Sequence, residues 1–370
     1  MVILLQFPIR KEKEKMLHGG ETCSGFTIQY DFSVNINPLG IPENVTRRLT
    51  ESLSRLTQYP DRECRELRAA LAIYTGVPAE QILCGNGASE LIEASVRALG
   101  ARSILLTAPS FSGYRHAAEA CGTEIRYHEL KREEDFALTQ RYLEDLAEGP
   151  DMAILCSPGN PVGNRIDPDL LMRIAQICGQ QGTWLLVDEC FIGFTQDEEK
   201  TTMRRLLAVP EFSGRLLVLD AFTKRFAMPG VRLGYLMASD PEVLDEIRAR
   251  QPEWSVSVPA QIAGAAAVET DREYMNTARN LIAAERGRMT AEMEKMGLRV
   301  CPGEANFIFF SSDTELFEPL LAAGVLIRRC DNYRGLGKGD YRAAIRLPEE
   351  NDILLQAMKE ICRRKETADD

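Results

Sequence analysis

The chain contains 370 residues with a mass of 41.4 kDa, of which 45% are hydrophobic and 27% are charged. This length exceeds that of a single small module, and the composition excludes a disordered or fibrous chain. Because 55 acidic residues outnumber 44 lysines and arginines, giving a formal net charge of −11, neither nucleic acid nor a membrane surface is a predicted partner. Any site for an anionic ligand must therefore be a local cluster of cations.

The beginning of the chain and its cysteines bear on its location. Residues 1–5 are apolar but too few for a secretory signal, and the charges at 11–15 follow them instead of preceding them. None of the ten cysteines forms a Cys-x-x-Cys pair, which argues against zinc-ribbon and thioredoxin-like sites. We therefore predict free thiols, a cytoplasmic location and, since the three histidines lack metal-ligand spacing, no metal site.

In the middle of the chain, short apolar segments alternate with segments of helical periodicity. Predicted strands lie at 103–107, 124–127, 152–156, 184–187, 216–219 and 233–237, and predicted helices at 89–99, 167–178 and 203–208. Strands and helices that alternate at this spacing indicate an α/β fold, in which helices flank a mostly parallel central sheet. Ligands of such sheets bind beyond the carboxyl ends of the strands, so the site is expected there.

The pattern changes after Pro259. A long helical stretch over 259–296 precedes a strand at 307–310, a helix at 315–323, strands at 325–328 and 342–347, and a last helix from Asn351. This order predicts a smaller α+β domain. We expect an N-terminal arm over 1–40, a large domain over 41–255 and a small C-terminal domain over 256–370.

The segment Gly-Asn-Gly-Ala-Ser-Glu at 85–90 follows a predicted strand and opens a predicted helix. Two glycines permit a tight turn, and the first N–H groups of a helix bind anions such as phosphate. The segment alone is a weak signal, since Asn86 or Ser89 is equally able to cap the helix. As an anion site, it makes Gly87, Ala88 and Ser89 the candidate phosphate-binding residues.

Asp188 and Lys224 follow two further predicted strands. A carboxylate at a buried strand end needs a partner, so Asp188 either caps the next turn or binds a protonated ring nitrogen. A lysine is usually solvated, but one removed from water has a lowered pKa and becomes a nucleophile toward a carbonyl carbon. Beside it, Thr223 and, eight residues on, Arg232 offer hydroxyl and guanidinium donors to a phosphate.

These residues occur in the order anion cradle, aromatic, amide, carboxylate, lysine and arginine, with Tyr114 as the aromatic and Asn160 as the amide. Pyridoxal 5'-phosphate needs such a set: a phosphate cup, a ring stacker, a donor to its phenolate oxygen, a carboxylate at its pyridine nitrogen and a Schiff-base lysine. From about His18 to its C-terminus, the chain resembles the fold-type I pyridoxal-phosphate enzymes of the aminotransferase class I and II superfamily.

The resemblance implies a role for each residue of the set. Lys224 is the Schiff-base lysine, Asp188 keeps the pyridine nitrogen protonated, and Asn160 and Tyr114 complete the catalytic group. A homodimer is also implied, in which Tyr59 reaches a cofactor phosphate across the interface. The remaining cofactor-binding residues are then Gly87, Ala88, Ser89, Thr223 and Arg232.

Two groups within the superfamily look most similar. Histidinol-phosphate aminotransferases share Asn-Ile-Asn-Pro-Leu-Gly at 35–40, Tyr-Pro-Asp at 59–61 and the Gly-Asn-Gly cup. L-threonine-O-3-phosphate decarboxylases of cobalamin biosynthesis share these and His-Gly-Gly at 18–20. They are also favoured by Phe191, where aminotransferases commonly carry Tyr, and by Pro229. Departures from the superfamily pattern are Ala221, Gly159 and Val162.

A substrate that carries both a carboxylate and a phosphate needs several cations in an acidic protein. The resemblance matches Arg342 to the superfamily's carboxylate-binding arginine. Arg328, with His18 and Asn37 from the arm, is expected at the substrate phosphate. Arg346 is as good a candidate for substrate binding as for a solvated strand end.

Together these residues predict a pyridoxal-phosphate-dependent lyase of cobalamin biosynthesis that converts L-threonine O-3-phosphate into (R)-1-aminopropan-2-yl phosphate and CO2. An aminotransferase acting on histidinol phosphate or another amino acid is the alternative, because the cofactor residues serve both reactions. A non-enzymatic binding or regulatory protein on the same fold is disfavoured by the presence of Lys224.

Overall fold

The structure of the chain is a computed structural model that describes Gly20, residues 27–269 and residues 271–369. His18 lies outside the described residues. The strands are β1 (Tyr30–Asp31), β2 (Ile82–Gly85), β3 (Ser103–Ala108), β4 (Glu124–Glu129), β5 (Met152–Cys156), β6 (Trp184–Asp188), β7 (Leu216–Ala221), β8 (Gly234–Ala238), β9 (Arg299–Val300), β10 (Phe307–Ser311), β11 (Val325–Leu326), β12 (Arg328–Arg329) and β13 (Asp340–Ala344).

Helices connect these strands, and the side chains of Asp167 and Asp240 cap the first turns of the helices that follow them. Within the described part of the chain, none of the helices is long and apolar enough to cross a membrane. The helices are α1 (Glu43–Glu51), α2 (Arg65–Thr75), α3 (Gly87–Ala98), α4 (Ser112–Ala120), α5 (Tyr142–Leu146), α6 (Pro168–Gln181), α7 (Glu198–Thr201), α8 (Pro210–Ser213), α9 (Phe222–Arg225), α10 (Pro241–Arg248), α11 (Val258–Glu269), α12 (Asp271–Lys295), α13 (Phe317–Ala322) and α14 (Pro348–Asp369).

Seven of the described strands form a large sheet in the order β2-β8-β7-β6-β5-β3-β4. Strands β3 to β7 pair in parallel, whereas β8 runs antiparallel to β2 and β7. Alternate residues enter separate cores on the two faces: Val187 and Val218 in one, Leu186 and Leu217 in the other. The predicted α/β fold with a mostly parallel sheet and flanking helices is confirmed.

The register of the parallel strands brings their carboxyl ends together. Cys156 at the end of β5 pairs with Asp188 at the end of β6, and Asp188 pairs with Leu219 of β7. Strand β7 leads directly into α9, a single turn that carries Lys224. The site residues that follow separate strands in the sequence are therefore neighbours at one edge of the sheet.

A second, antiparallel sheet lies in the C-terminal part, in the order β12-β13-β10-β9. The arm joins this part, because β1 pairs in parallel with β11 and Phe32 exchanges backbone hydrogen bonds with Leu326 (2.7 Å) and Ala344 (2.8 Å). The two sheets have separate cores, and the core of the large sheet includes side chains of α11, which lies beyond the boundary expected at residue 255. The cores therefore support a large and a small domain but not the particular boundaries at residues 40 and 255. Those boundaries remain a proposal.

Three predicted elements differ from the structure. The strand expected at 342–347 is β13, which ends earlier, because Pro348 opens α14 at a position where its missing N–H costs no helical hydrogen bond. The strand expected at 325–328 is divided between β11 and β12, which belong to different sheets. The helix expected at 203–208 is a 3-10 turn, Met203–Ala208.

Candidate active site

Asp188 lies at the centre of the carboxyl edge of the large sheet and is 5% exposed. The hydroxyl of Tyr114 donates a hydrogen bond of 2.6 Å to its Oδ2, and the backbone N–H of Cys190 donates one of 3.0 Å to its Oδ1. Burial and the charge of Asp188 raise the pKa of Tyr114, so the phenol stays protonated and remains a donor. The carboxylate is thus held in one orientation where a protonated ring nitrogen can bind it.

Lys224 lies on α9, immediately beyond the carboxyl end of β7. Burial, reinforced by the positive charges of Arg342 and Arg232, lowers the pKa of Lys224 to about 8. The fraction of neutral amine near neutral pH is therefore far larger than that of an ordinary, solvated lysine. A neutral amine at this position is able to attack a carbonyl carbon, as the sequence predicts.

Asn35 is a site residue that the sequence analysis did not select. Its Oδ1 lies 3.5 Å from Nζ of Lys224, its backbone oxygen accepts a hydrogen bond of 3.0 Å from Asn306, and its side chain is 2% exposed. Nδ2 of Asn35 is buried and has no hydrogen-bond partner among the described residues. A buried amide donor left open beside the lysine indicates a ligand group that completes it.

The predicted anion cradle forms where β2 enters α3. Gly87 has φ +79°, and a Cβ at this position would lie 2.6 Å from Nη2 of Arg232. Asn86, which precedes the helix, makes no side-chain capping bond, and Ser89 is exposed. The structure therefore brings Arg232 to the open N-terminus of α3, where a guanidinium and free N–H groups together suit a phosphate. Thr223, also predicted there, is half-buried next to Lys224.

Two arginines stand opposite each other on the C-terminal sheet, because Arg328 of β12 pairs with Arg342 of β13. Both are buried, with 1% and 4% exposure. Arg342 donates to Asn160 Oδ1 (2.6 Å) and to the backbone oxygen of Ser33 (2.8 Å), and Arg328 donates to Asn332 Oδ1 (2.9 Å). Within the described residues, no carboxylate forms an ion pair with Arg342. A buried cation compensated only by neutral oxygens favours an anionic ligand.

The remaining predicted residues are placed differently. Asn37 is buried, and its Nδ2 donates to the backbone oxygen of Arg225 at 2.9 Å. The guanidinium of Arg346 donates to Glu350 and to the backbone oxygen of Asp31, which is the structural alternative considered for it. Neither contact bears on a ligand, so substrate binding by these two side chains remains a prediction.

Tyr59 is 81% exposed, and its ring lies 4.9 Å from that of Trp254. It is not part of the cluster around Lys224 in this single chain. His18, the last of the predicted substrate residues, lies outside the described part of the chain. The structure thus brings Tyr114, Asp188 and Lys224 to one edge of the sheet with Arg342.

Similarity to known proteins assigns the chain to a family. The chain belongs to the aminotransferase class I and II family, whose family model matches residues 27–358. The threonine-phosphate decarboxylase of Salmonella typhimurium is 35% identical over 355 residues, covering 93% of this chain and 96% of that protein. The histidinol-phosphate aminotransferase of Desulfitobacterium hafniense is 34% identical over 340 residues, covering 89% and 91%.

Solved structures agree on the fold. The histidinol-phosphate aminotransferase from Clostridium acetobutylicum superposes with a TM-score of 0.83 at 30% identity, covering 90% of this chain and 99% of that one. The L-threonine-O-3-phosphate decarboxylase from Porphyromonas gingivalis superposes with a TM-score of 0.77 at 22% identity, covering 89% and 98%, and supports the fold alone.

Pyridoxal phosphate is the cofactor of this family, and the residues present fit it. The cradle at Gly87 and Arg232 suits the phosphate, the oriented carboxylate of Asp188 suits the pyridine nitrogen, and the amine of Lys224 suits the aldehyde. The open Nδ2 of Asn35 marks the same space as incomplete without a ligand.

Proposed function

We propose that the chain is a pyridoxal-phosphate-dependent decarboxylase of L-threonine O-3-phosphate that serves cobalamin biosynthesis. The observation that carries this proposal is the pair of buried arginines, Arg328 and Arg342, facing each other on adjacent strands. Two buried guanidinium groups match a substrate with two anionic groups, a carboxylate and a phosphate. The similarity to the Salmonella typhimurium threonine-phosphate decarboxylase over 93% of the chain supports the same substrate.

Three side chains and one helix N-terminus would hold the cofactor. Arg232 and the N-terminus of α3 would bind its phosphate, Asp188 would hold a proton at its pyridine nitrogen, and Lys224 would bind it covalently. When bound, the cofactor supplies an electron-withdrawing ring that accepts the electron pair of the bond broken at the substrate's α-carbon. The bond from Tyr114 to Asp188 keeps the carboxylate turned toward that ring nitrogen.

The arginine pair would orient the substrate. Arg342 lies near Lys224, since its charge lowers the pKa of that lysine, and is the candidate for the carboxylate. Arg328, held by Asn332, is the candidate for the phosphate, which lies at the far end of the substrate. Fixing both ends of the molecule decides which bond at the α-carbon is presented for cleavage.

Decarboxylation replaces the carboxylate on the α-carbon of the substrate with a proton. The bond between the α-carbon and the carboxyl carbon breaks, CO2 leaves, and one proton takes its place on the α-carbon. The amine of Lys224, with a pKa of about 8, carries an exchangeable proton at neutral pH and is the candidate donor. Lys224 is half-buried and Arg342 is buried, which limits the access of water to this proton.

We also propose that the active unit is a homodimer in the cytoplasm. Leu53, Leu56, Tyr59 and Ile73 are exposed apolar side chains, between 56% and 89% exposed, on the same part of the large domain. Covering such a surface with a second copy removes apolar area from water and would carry Tyr59 toward the other copy's cofactor phosphate. Light scattering that gave a monomer in the holoenzyme would contradict this.

The decisive experiment separates the decarboxylase from an aminotransferase. Purified holoenzyme is incubated with L-threonine O-3-phosphate, with and without 2-oxoglutarate, and the products are followed by NMR. We expect one CO2 and one aminopropanol phosphate per substrate without any amino acceptor. Transfer of the amino group to 2-oxoglutarate without CO2 release would overturn the proposal and favour the aminotransferase, the activity named for the relative from Desulfitobacterium hafniense.

A second measurement tests the attachment of the cofactor. Borohydride reduction of the holoenzyme, followed by mass spectrometry of its peptides, is expected to place the adduct on Lys224. The Lys224→Ala variant should give no adduct and no CO2. An adduct found on a different lysine would remove the basis of the mechanism.

A further inference from the structure

The arm holds the two peptide groups that follow Lys224. The backbone N–H of Asn37 donates to the oxygen of Lys224 at 2.9 Å, and Nδ2 of Asn37 donates to the oxygen of Arg225 at 2.9 Å. One residue of the arm thus binds two consecutive carbonyl groups. Asn37 is 1% exposed, so these bonds are shielded from water.

The length of α9 explains why such a clamp is needed. A helix leaves its last four carbonyl groups without helical partners, and α9 has only four residues, Phe222–Arg225. The oxygen of Lys224 accepts local bonds only from the backbone N–H groups of Phe226 and Ala227, the latter at 3.3 Å. Asn37 adds a shorter bond to the oxygen of Lys224 and binds that of Arg225 from elsewhere in the chain.

The side chain of Arg225 fixes the other side of the same turn. Its guanidinium donates to both oxygens of Glu198 (2.6 and 3.1 Å) and to the hydroxyl of Tyr74 (2.7 Å). Burial raises the pKa of Glu198, but the guanidinium of Arg225 and two further arginines more than offset this and hold it at about 2. A Cβ on Gly193 would collide with Cζ of Arg225, so only glycine fits at this position without displacing the guanidinium.

We propose that Asn37 is a positioning residue for Lys224, which it clamps against the anchored side chain of Arg225, and that it is not a substrate ligand. The same segment of the arm carries Asn35, whose Oδ1 lies 3.5 Å from Nζ of Lys224. The hydrogen bonds of Asn37 therefore also fix the position of Asn35 relative to Lys224. This inference rests on the proposed role of Lys224 as the cofactor's attachment site, but not on the identity of the substrate.

The environment of Lys224 offers a measurement that a purely structural role would not change. The charged and titratable groups that act on its amine are Arg342, Arg232, Asp188 and Cys190. In the described part of the chain, none of them is a hydrogen-bond partner of Asn37. If the clamp is lost, the amine moves relative to these groups and toward water. Its titration midpoint should then rise from about 8 toward the ordinary value for lysine.

The test compares Asn37→Ala and Asn37→Leu with the matched control Asn44→Ala. Asn44 also donates an amide hydrogen bond to a backbone oxygen, that of Ala266 at 2.6 Å, but lies away from Lys224. In the apoenzyme, the midpoint of Lys224 is measured by the pH dependence of its labelling with acetic anhydride and peptide mass spectrometry. In the holoenzyme, kcat and KM are measured with L-threonine O-3-phosphate.

We expect both Asn37 variants to raise the labelling midpoint by about one pH unit and to lower kcat about tenfold or more, with a smaller change in KM. The control should keep the midpoint of the unaltered protein. Asn37→Leu keeps the approximate size of the side chain and, like the alanine variant, the backbone bond to Lys224. It removes the Nδ2 donor without adding a charge, so it remains informative if the alanine variant does not fold.

Two results would overturn the proposal. A tenfold rise in KM with unchanged kcat and midpoint would make Asn37 a substrate ligand, as the sequence predicts. A loss of thermal stability equal to that of Asn44→Ala, with unchanged midpoint and kcat, would make its role structural only. If the unaltered holoenzyme released no CO2, the proposed function would fail, while the labelling midpoint would still decide the role of Asn37.

Discussion

The hydroxyl of Tyr114 donates a hydrogen bond of 2.6 Å to the buried carboxylate of Asp188. The sequence predicts an aromatic face at Tyr114, and the structure adds a polar function for the same residue. Because Asp188 is almost removed from water, each donor that it keeps contributes strongly to holding its side chain in place. Tyr114 therefore links the ring-binding surface to the acid that binds the ring nitrogen.

Replacing Tyr114 by Phe removes this donor and leaves the apolar ring. We expect the free energy of unfolding of the apoenzyme to fall by about 1.5 to 3 kcal/mol, the range for a hydrogen bond to a buried charged group. Tyr142→Phe is the matched control, because its hydroxyl is equally buried and has no partner among the described residues. Urea unfolding that showed the same loss for both variants would contradict the role assigned to the Tyr114 hydroxyl.

The lowered pKa of Lys224 predicts the pH dependence of cofactor capture. Only the neutral amine attacks an aldehyde, so the rate at which apoenzyme binds pyridoxal phosphate should rise with pH and level off above about 8. The same shift has a cost for stability, because the unfolded state keeps the lysine proton up to its ordinary pKa of about 10.4. The penalty is complete below about pH 8 and fades as the pH rises toward that higher value.

Stopped-flow absorbance of apoenzyme mixed with pyridoxal phosphate, from about pH 6 to about pH 10, measures this rate. Nα-acetyl-lysine, whose ε-amine is free, is the control in solution. Its reaction rate should keep rising beyond the pH at which the rate of the enzyme levels off. A rate that followed the free amino acid across the whole range would show that Lys224 is not held in a desolvated environment.

The cradle at Gly87 gives a prediction about cofactor affinity. Both Gly87 and Gly76 have positive φ, near +79° and +73°, so alanine strains the backbone at either position by about 1 kcal/mol. Only at Gly87 would the new Cβ also meet Arg232, at 2.6 Å, whereas nothing lies within 4 Å at Gly76. We expect Gly87→Ala to weaken pyridoxal phosphate binding about tenfold or more, because it displaces a charged phosphate donor.

Gly76→Ala should lower stability by a similar amount and leave the affinity unchanged. Equilibrium titration of both apoenzyme variants with the cofactor, followed by absorbance, decides between them. Equal affinities for the two variants would show that Arg232 and the start of α3 do not form the phosphate site.

The sequence predicts the large sheet well, because buried parallel strands are continuous apolar runs and segments of helical periodicity lie between several of them. It also places Asp188 and Lys224 correctly at strand ends. The sequence does not predict side-chain positions that depend on pairing between distant segments of the chain. Nothing local distinguishes Asn35 from Asn37; the register of the arm against α9 turns the first toward the amine and the second toward backbone oxygens.

The same limit applies to the arginines. Arg328, Arg342 and Arg346 look alike in sequence, as cations near the ends of short strands. The early end of β13 leaves Arg346 to the first turn of α14, where Glu350 binds it. Arg328 and Arg342 become partners only because β12 and β13 pair in one particular register, which a single sequence does not specify.

The pairing of Arg328 with Arg342 leads to a prediction about substrate specificity. Arg328→Met keeps the length of the side chain and removes the charge proposed to bind the substrate phosphate. We expect KM for L-threonine O-3-phosphate to rise about 10- to 100-fold, the loss that follows from about 1.5 to 3 kcal/mol of charge-assisted hydrogen bonding. Turnover of L-threonine, which lacks the phosphate, should be slow in the unaltered enzyme and no slower in the variant.

Arg329→Met is the matched control, because Arg329 is the next residue on β12 and lies beside Glu318 at 3.9 Å, with its guanidinium over the ring of Phe317. It should leave both substrates unaffected. Arg342→Met should instead slow the turnover of both substrates, since each carries the carboxylate that is proposed to bind Arg342. The contrary result would be that Arg328→Met and Arg342→Met each slow the turnover of both substrates in the same proportion. In that case Arg328 would not bind the phosphate while Arg342 binds the carboxylate, and the proposed orientation of the substrate would be wrong.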